Sequence, residues 1–395
     1  MPAKKTKKPS PSKSSSEYKY VPPSTSPFYQ HVISPLCDRL CELLVPPTLH
    51  PDWLTFLGLL CALSSAGLFA LGAHAGCAVL WIVYGLLDNM DGKQARRSRQ
   101  SSPGGEFFDH TCDAFMTTLA AVLMRESLAP SLRTSLGPGI ALGFVASVQG
   151  VYILGTWAHA LLGRVLLGTC VQSTDWLTVD EMNFFVIPIF VLARGYMPVL
   201  PDFRPPLPLG TFSSWLFSLP LPPSLQSLWF SFLSGGGEGG QLPGDAWVRF
   251  LSLGTCMVLF MIGFTIVGTA NLLFLIFQWS ALLQFLVIPS FVSTVLVCEL
   301  EALDTFGLYG LIVMSMICLR MGVIDLKYEP IIFIPVGCLL CLSIFCPPGG
   351  TLRWWLGASL GVGSVGASLL LKGWINNQQR QSQTQKASSA TKRTD

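Results

Sequence analysis

The chain has 395 residues, of which 51% are hydrophobic and 12% charged, and its formal net charge is only +3. That balance suits lipid better than water, excludes an ordinary soluble enzyme and gives no reason to expect a nucleic-acid partner. The fold class it predicts is all-α: a polytopic membrane protein.

Residues 1–27 read as a disordered, basic cytosolic tail, with Lys4, Lys5, Lys7 and Lys8 set among Ser, Pro and Thr. Such a segment stays solvated and is drawn weakly to anionic lipid. It contains no signal-peptide core, so the first span is expected to act as the targeting signal. From Phe28 to Val45, Val32, Leu36, Leu40, Leu43 and Leu44 recur at near-helical spacing beside Asp38, Arg39 and Glu42. This predicts an N-terminal interfacial amphipathic helix on the cytosolic leaflet, ended by Pro46 and Pro47.

A membrane domain is expected over 28–375. Apolar stretches of about 20 residues, long enough to cross a bilayer, fall near 54–73, 76–95, 106–125, 138–160, 183–200, 250–276, 279–298, 303–323, 330–347 and 354–375. About ten transmembrane helices follow by hydropathy. The Pro-, Gly- and Ser-rich loop 201–248 reads as a lumenal connection. Residues 376–395, with Arg380, Lys386, Lys392 and Arg393, read as a second disordered cytosolic tail. Positive-inside bias and an even helix count put both tails, and Arg96, Arg97 and Arg99 after the second span, in the cytosol.

The twelve cysteines are expected to be small buried apolar residues, the Cys338–Cys341 pair included. Trp81, Trp157, Trp279, Trp354 and Trp355 are expected at membrane interfaces. Glu181, Glu299 and Glu301, at span ends, are expected to be solvated.

The chemistry lies between the second and third spans. Asp88 and Asp91 are three apart and share a face near the end of one helix. Glu106, Asp109, His110 and Asp113 stand at i, i+3, i+4 and i+7 on the next, and Ser101–Gly105 supply the turn that brings the two stripes together. Carboxylates beside apolar spans are functional by default, and four of them are hard oxygen ligands suited to Mg²⁺ or Mn²⁺. Two ions suit the site better than one, because a single divalent ion leaves it negative and repels a phosphate. Gly92 and Ala95 allow close backbone approach.

The spacing D-x2-D-G-x2-A-R-x8-G-x3-D-x3-D is met by Asp88, Asp91, Gly92, Ala95, Arg96, Gly105, Asp109 and Asp113. It resembles the signature of the CDP-alcohol phosphotransferase family, and DGKQARR and GEFFDHTCD resemble the eukaryotic choline and ethanolamine branch. The resemblance implies a CDP-alcohol:diacylglycerol phosphotransferase that moves phosphocholine or phosphoethanolamine from CDP-choline or CDP-ethanolamine to diacylglycerol and releases CMP. It implies one ion on Asp88, Asp91 and Asp109, a second on Asp88, Asp109 and Asp113, and a nucleotide pocket lined by Gly92, Ala95, Arg96, Gly105 and Glu106. It also implies a homodimer among membrane lipid, in the endoplasmic reticulum or Golgi, with its site facing the cytosol.

Two residues compete as general base. His110, with an ordinary pKa near 6.5, accepts a proton at cytosolic pH, and the eukaryotic branch favours it, with Glu106 orienting it. The wider family favours the last aspartate, here Asp113, which is a poor base when a cation holds it ionised. One departure stands out: relatives carry P-N-x-x-T before the first span, whereas this chain has Pro51, Asp52, Trp53, Leu54 and Thr55. Asp52 keeps a side-chain oxygen for substrate binding but loses the amide donors, and it equally suits a helix cap. The alternatives are a synthase that uses CDP-diacylglycerol and, outside enzymes, a cation-binding transporter.

Overall fold

The computed structural model describes residues 26–135, 138–162, 178–196, 291, 302–321, 334–338 and 351–391. Every regular element among the described residues is helical. The tail before Ser26, the loop 201–248, the spans near 250–276 and 279–298, most of 330–347, and Trp279, Glu299, Glu301 and Cys341 lie outside them.

A wide turn, Tyr29–Ile33, leads into α1 (Ser34–Leu44). Ile33, Cys37 and Cys41 pack with Val45, Leu54 and Met90, while Leu36, Leu43 and Leu44 are exposed. The result is a helix with one face against the protein and an apolar face free for lipid. α2 (Asp52–Ala70) and α3 (His74–Arg97) form a tight antiparallel pair. Their connection needs a left-handed residue, which Gly72 supplies at φ 75°; Gly72 N–H then bonds Phe69 O and Ala73 N–H bonds Leu68 O.

The other end of α3 closes with the same motif but without glycine. Arg99 takes φ 57°, and Arg99 and Gln100 N–H reach Arg96 O and Ala95 O. Three side chains from this end of α3 tie it to α1 and to the segment that follows it. Lys93 Nζ donates to Ser34 Oγ and Asp38 Oδ1, each at 2.8 Å. Gln94 Nε2 donates to Pro46 O at 3.1 Å and Leu49 O at 2.8 Å, and Arg97 Nη1 donates to Cys41 O and to Val45 O at 3.1 Å. Arg97 is thereby committed to the open carbonyl end of α1.

α4 (Pro103–Ser135) and α5 (Pro138–Leu162) follow, and Val179–Glu181 and Met182–Val186 run without a break into α6 (Ile187–Tyr196). α7 (Ala302–Arg320) and α8 (Thr351–Thr391) complete the described helices. One core, centred on Trp81, Phe115 and Phe144, joins α2 to α6. A second, with Ile153, Trp157, Tyr309 and Ile312, joins α4, α5 and α7, and α8 packs on it through Leu360 and Leu371. α2 shows the inverted logic of a lipid-facing helix, with Trp53, Phe56, Leu57, Leu60 and Leu63 exposed on one stripe and Leu54, Leu59 and Ala62 buried on the other.

By length and composition, two stretches among the described residues can cross a membrane: Asp52–Ala70 and Trp355–Gln381. α3 and α4 match the second and third expected spans in position, but their charged ends lower their mean hydropathy. Where the sequence suggested a tail from residue 376, α8 continues to Thr391. Asn, Gln, Arg and Lys after Trp374 are polar enough to leave lipid, and Gln, Arg, Lys and Ala are good helix formers, so the helix extends into water.

Three expectations are corrected. Trp81 and Trp157 are not interfacial: they are 0% and 2% exposed, and Trp81 Nε1 donates to Asn183 Oδ1 at 3.3 Å, so a buried partner replaces the headgroup. Trp355, 64% exposed, has the placement expected of an interface residue. Glu181 is not solvated either. It is buried, and its Oε2 accepts from Thr178 N–H and Thr178 Oγ1, both at 2.7 Å, in a capping box that starts the helical run to α6. Of the cysteines, Cys338 is exposed, whereas Cys37, Cys41, Cys77, Cys112 and Cys318 are buried.

Asp180, beside that box, accepts from Asn89 Nδ2 at 3.0 Å. Burial pushes its carboxyl from 3.8 up to about 6, against the lowering pull of the Asn89 bond. The unfolded chain therefore releases this proton before the folded one does, and Asp180 makes stability fall as pH rises from 3.8 to about 6. Asp180→Asn, which keeps the acceptor oxygen, is expected to flatten that part of the curve in thermal denaturation across the same range.

α7 and α8 touch backbone to backbone at Gly307. A Cβ there would lie 2.5 Å from Leu360 C and 2.6 Å from Gly361 N. These are backbone atoms that cannot rotate away, and small residues are what permit such approach between membrane helices. Gly307→Ala is expected to cost about 1–3 kcal/mol, visible as a lower Tm of the purified protein in detergent.

Candidate functional site

The site is the space between the C-terminal end of α3 and the start of α4, walled by α2, α5 and α8. The two helices enter the 98–102 turn from opposite directions, so the earlier acid on α3 meets the later one on α4. Asp88 lies against Asp113, and Asp91 against Asp109. All four expected carboxylates thus converge, in two cross-helix pairs. Asp91, 5% exposed, is also gripped from α2, where Thr55 Oγ1 donates to its Oδ2.

Carboxylates packed this closely repel one another unless protons or cations lie between them. The donor set is all hard oxygen at its centre, which fits Mg²⁺ or Mn²⁺ in charge and ligand type. Two groups of ligand atoms among the described residues lie close enough to hold an ion: Asp109, His110 and Asp113, and Glu106, His110 and His159, each within 4.8 Å of one another.

His110 stands between the two groups. Its Nε2 is 3.7 Å from Glu106 Oε1 and its Nδ1 is 3.7 Å from Asp113 Oδ2. The i, i+4 and i, i+3 spacings on one helix bring these acids to the two sides of the ring. The imidazole is 16% exposed and Glu106 8%, so the pair is shielded yet within reach of the cavity.

The remaining expected residues form the rim. Gly92, Ala95 and Arg96 lie on the last turns of α3, where the Arg96 guanidinium approaches the open face of Gly92. Gly105 sits in the first turn of α4, its N–H donating to Ser102 Oγ at 3.0 Å. Asp52 is the first residue of α2, after Pro51, and its N–H donates to His50 Nδ1 at 3.3 Å. Its side chain does not cap the helix: it pairs with Lys372 of α8.

Five contributors escaped the sequence reading. Thr55 had been quoted only as part of a pattern. Tyr152, whose Oη donates to His110 O at 2.8 Å, and His159, whose ring meets the His110 ring edge to face at 5.9 Å, line one face of α5 seven residues apart. That i, i+7 spacing of polar groups in an apolar span was an available signal. Lys372 and Asn376 of α8 were a second one, since a lysine in an apolar helix calls for a partner.

Residues 48–162 match the CDP-alcohol phosphatidyltransferase family. The matched stretch is under a third of the chain. All four aspartates, Glu106, His110 and the α5 residues Tyr152 and His159 fall inside it, and Lys372 and Asn376 fall outside. Among curated proteins, the chain is 35% identical over 164 residues to "Uncharacterized CDP-alcohol phosphatidyltransferase class-I family protein 2" of Dictyostelium discoideum, covering 38% of this chain and 37% of that protein. It is 33% identical over 180 residues to "Choline/ethanolaminephosphotransferase 2" of Arabidopsis thaliana, covering 43% and 44%. It is 31% identical over 138 residues to "Ethanolaminephosphotransferase 1" of Homo sapiens, covering 29% and 34%. The chain therefore spans less than half the length of these relatives.

Proposed function

We propose that this protein transfers phosphocholine or phosphoethanolamine from CDP-choline or CDP-ethanolamine to diacylglycerol. The observation that carries the reading is the convergence of Asp88, Asp91, Asp109 and Asp113 beside the Glu106–His110 pair, all within the matched domain. The diacylglycerol hydroxyl oxygen attacks the phosphorus that bears the alcohol. The bond from that phosphorus to the bridging oxygen breaks, and CMP leaves with the oxygen. His110 takes the hydroxyl proton, with Glu106 behind its Nε2 to stabilise the imidazolium that forms.

Asp88, Asp91, Asp109 and Asp113 would hold the divalent ions, two in number, which supply charge neutralisation at the diphosphate. Thr55 fixes the Asp91 rotamer, and Tyr152 fixes the α4 backbone at His110. Gly92, Ala95, Arg96, Gly105 and Asp52 form the rim where nucleotide would bind, Gly92 and Gly105 by leaving the backbone open.

The wider setting belongs to the same reading: about ten spans in a homodimer, in the endoplasmic reticulum or Golgi, with the site facing the cytosol. Lys372 on Asp52 and Asn376 on Gly104 support the topology, since they hold the end of the last apolar helix level with the start of α2. Helices that begin and end on one side require an even number of crossings.

Purified protein with diacylglycerol, Mg²⁺ and labelled CDP-choline or CDP-ethanolamine is expected to release CMP and label the lipid. Release of CMP from CDP-diacylglycerol alone would replace this reading with a different synthase. Turnover with none of the three donors would remove it.

A further inference from the structure

The mouth of the site is crossed by a helix more than two hundred residues away from it in sequence. Lys372 Nζ of α8 pairs with Asp52 Oδ2 and stands 4.8 Å from the centre of the Phe108 ring, whose neighbour in sequence is Asp109. Asn376, one turn further along α8, accepts Gly104 N–H at 3.2 Å. A side chain at Gly104 would collide with Asn376, so this seating depends on the glycine. Three contacts, on α2, on the first turn of α4 and on the ring beside a site aspartate, thus fix the ammonium at the rim.

The position is close to the chemistry. Asp52 and Thr55 are three apart on α2, so the residue that Lys372 pairs with stands about one helical turn, ~5 Å along the axis, from the residue whose hydroxyl holds Asp91. The Lys372 side chain is 13% exposed, while its neighbours Leu369 and Leu370 face outward from the protein at 49% and 78%. An ammonium has three donor hydrogens. Asp52 takes one direction and the Phe108 face attracts the charge from another, and the two helices touched in this way, α2 and α4, are those that carry Thr55 and Asp109.

We propose that Lys372 is a substrate-binding residue: its ammonium binds the diphosphate of the nucleotide donor, and Asn376 on Gly104 seats α8 to place it. This rests on the donor class proposed above and extends that site to a helix outside the matched domain. A compact ammonium paired to one carboxylate at the rim can turn to an incoming phosphate without leaving its seat. The arrangement also gives a role to the carboxylate at position 52, which anchors the cation that faces the substrate.

The test uses the full chain in detergent or nanodiscs. Lys372→Met is expected to raise KM for the CDP-alcohol by about tenfold or more, the scale of one lost charge-assisted contact, with KM for diacylglycerol unchanged. It is expected to weaken CDP binding, measured by calorimetry with Mg²⁺, by a similar factor, and Lys372→Arg is expected to retain most of the affinity. The double variant Asp52→Asn/Lys372→Met is expected to keep the raised donor KM. Recovery of the double variant to wild-type KM would overturn the proposal, because it would mean that Lys372 only neutralises Asp52. Equal loss for both substrates with a lowered Tm would overturn it too, as the mark of a purely structural contact. Should the wild-type protein bind CDP but use no CDP-alcohol, the functional reading fails by itself, and the CDP affinities of the variants still decide Lys372.

Discussion

Asp91→Asn is expected to abolish phosphoalcohol transfer, lowering CMP release by about 10³-fold or more, the scale on which charge-stabilising groups act. Asp91 is held on two sides, by Thr55 from α2 and by Asp109 from α4, so it is set in one geometry as a ligand must be. Asparagine keeps that size and one oxygen but removes the anion that would bind metal. Removing one of several mutually repelling carboxylates is expected to leave the Tm unchanged or to raise it, which separates a ligand from a structural residue. A chelator is expected to bring the wild type to background, and Mg²⁺ or Mn²⁺ to restore it. Turnover that persists without divalent ions would contradict the site.

The second large effect is expected at His110. His110→Ala should lower kcat by about 10²–10⁴-fold, the usual contribution of a general base, with little change in donor KM. Glu106→Gln should cost less, because it leaves the imidazole in place and removes only the carboxylate at its Nε2. Asp113 competes for the role and lies as near to the ring as Glu106, 3.7 Å from the other nitrogen. Near-normal turnover in His110→Ala would move the base to Asp113. Kinetics on both substrates distinguish these outcomes, since loss of a ligand disturbs nucleotide binding as well as rate.

What the chain discloses by itself is whatever local spacing dictates. Asp88 and Asp91 share a face because a helix turns every 3.6 residues, and Glu106, Asp109, His110 and Asp113 form a stripe for the same reason. The turn between them is short, so the two stripes had to meet. The amphipathic α1 was readable in the same way, from periodicity against an apolar solvent.

Tertiary structure decided everything that reaches across the bundle. Trp81 was placed at an interface because tryptophan favours one, yet it is in the core because Asn183, some hundred residues away, satisfies its N–H. Glu181 looked like a solvated span end, but its carboxylate folds back onto Thr178. Tyr152, His159, Lys372 and Asn376 join the site through contacts whose partners no local pattern specifies. Side-chain direction along one helix is set by backbone geometry and can be read from spacing; which helix lies opposite is set by packing of the whole bundle. The four aspartates belong to the first kind of information, and the lysine at their rim belongs to the second.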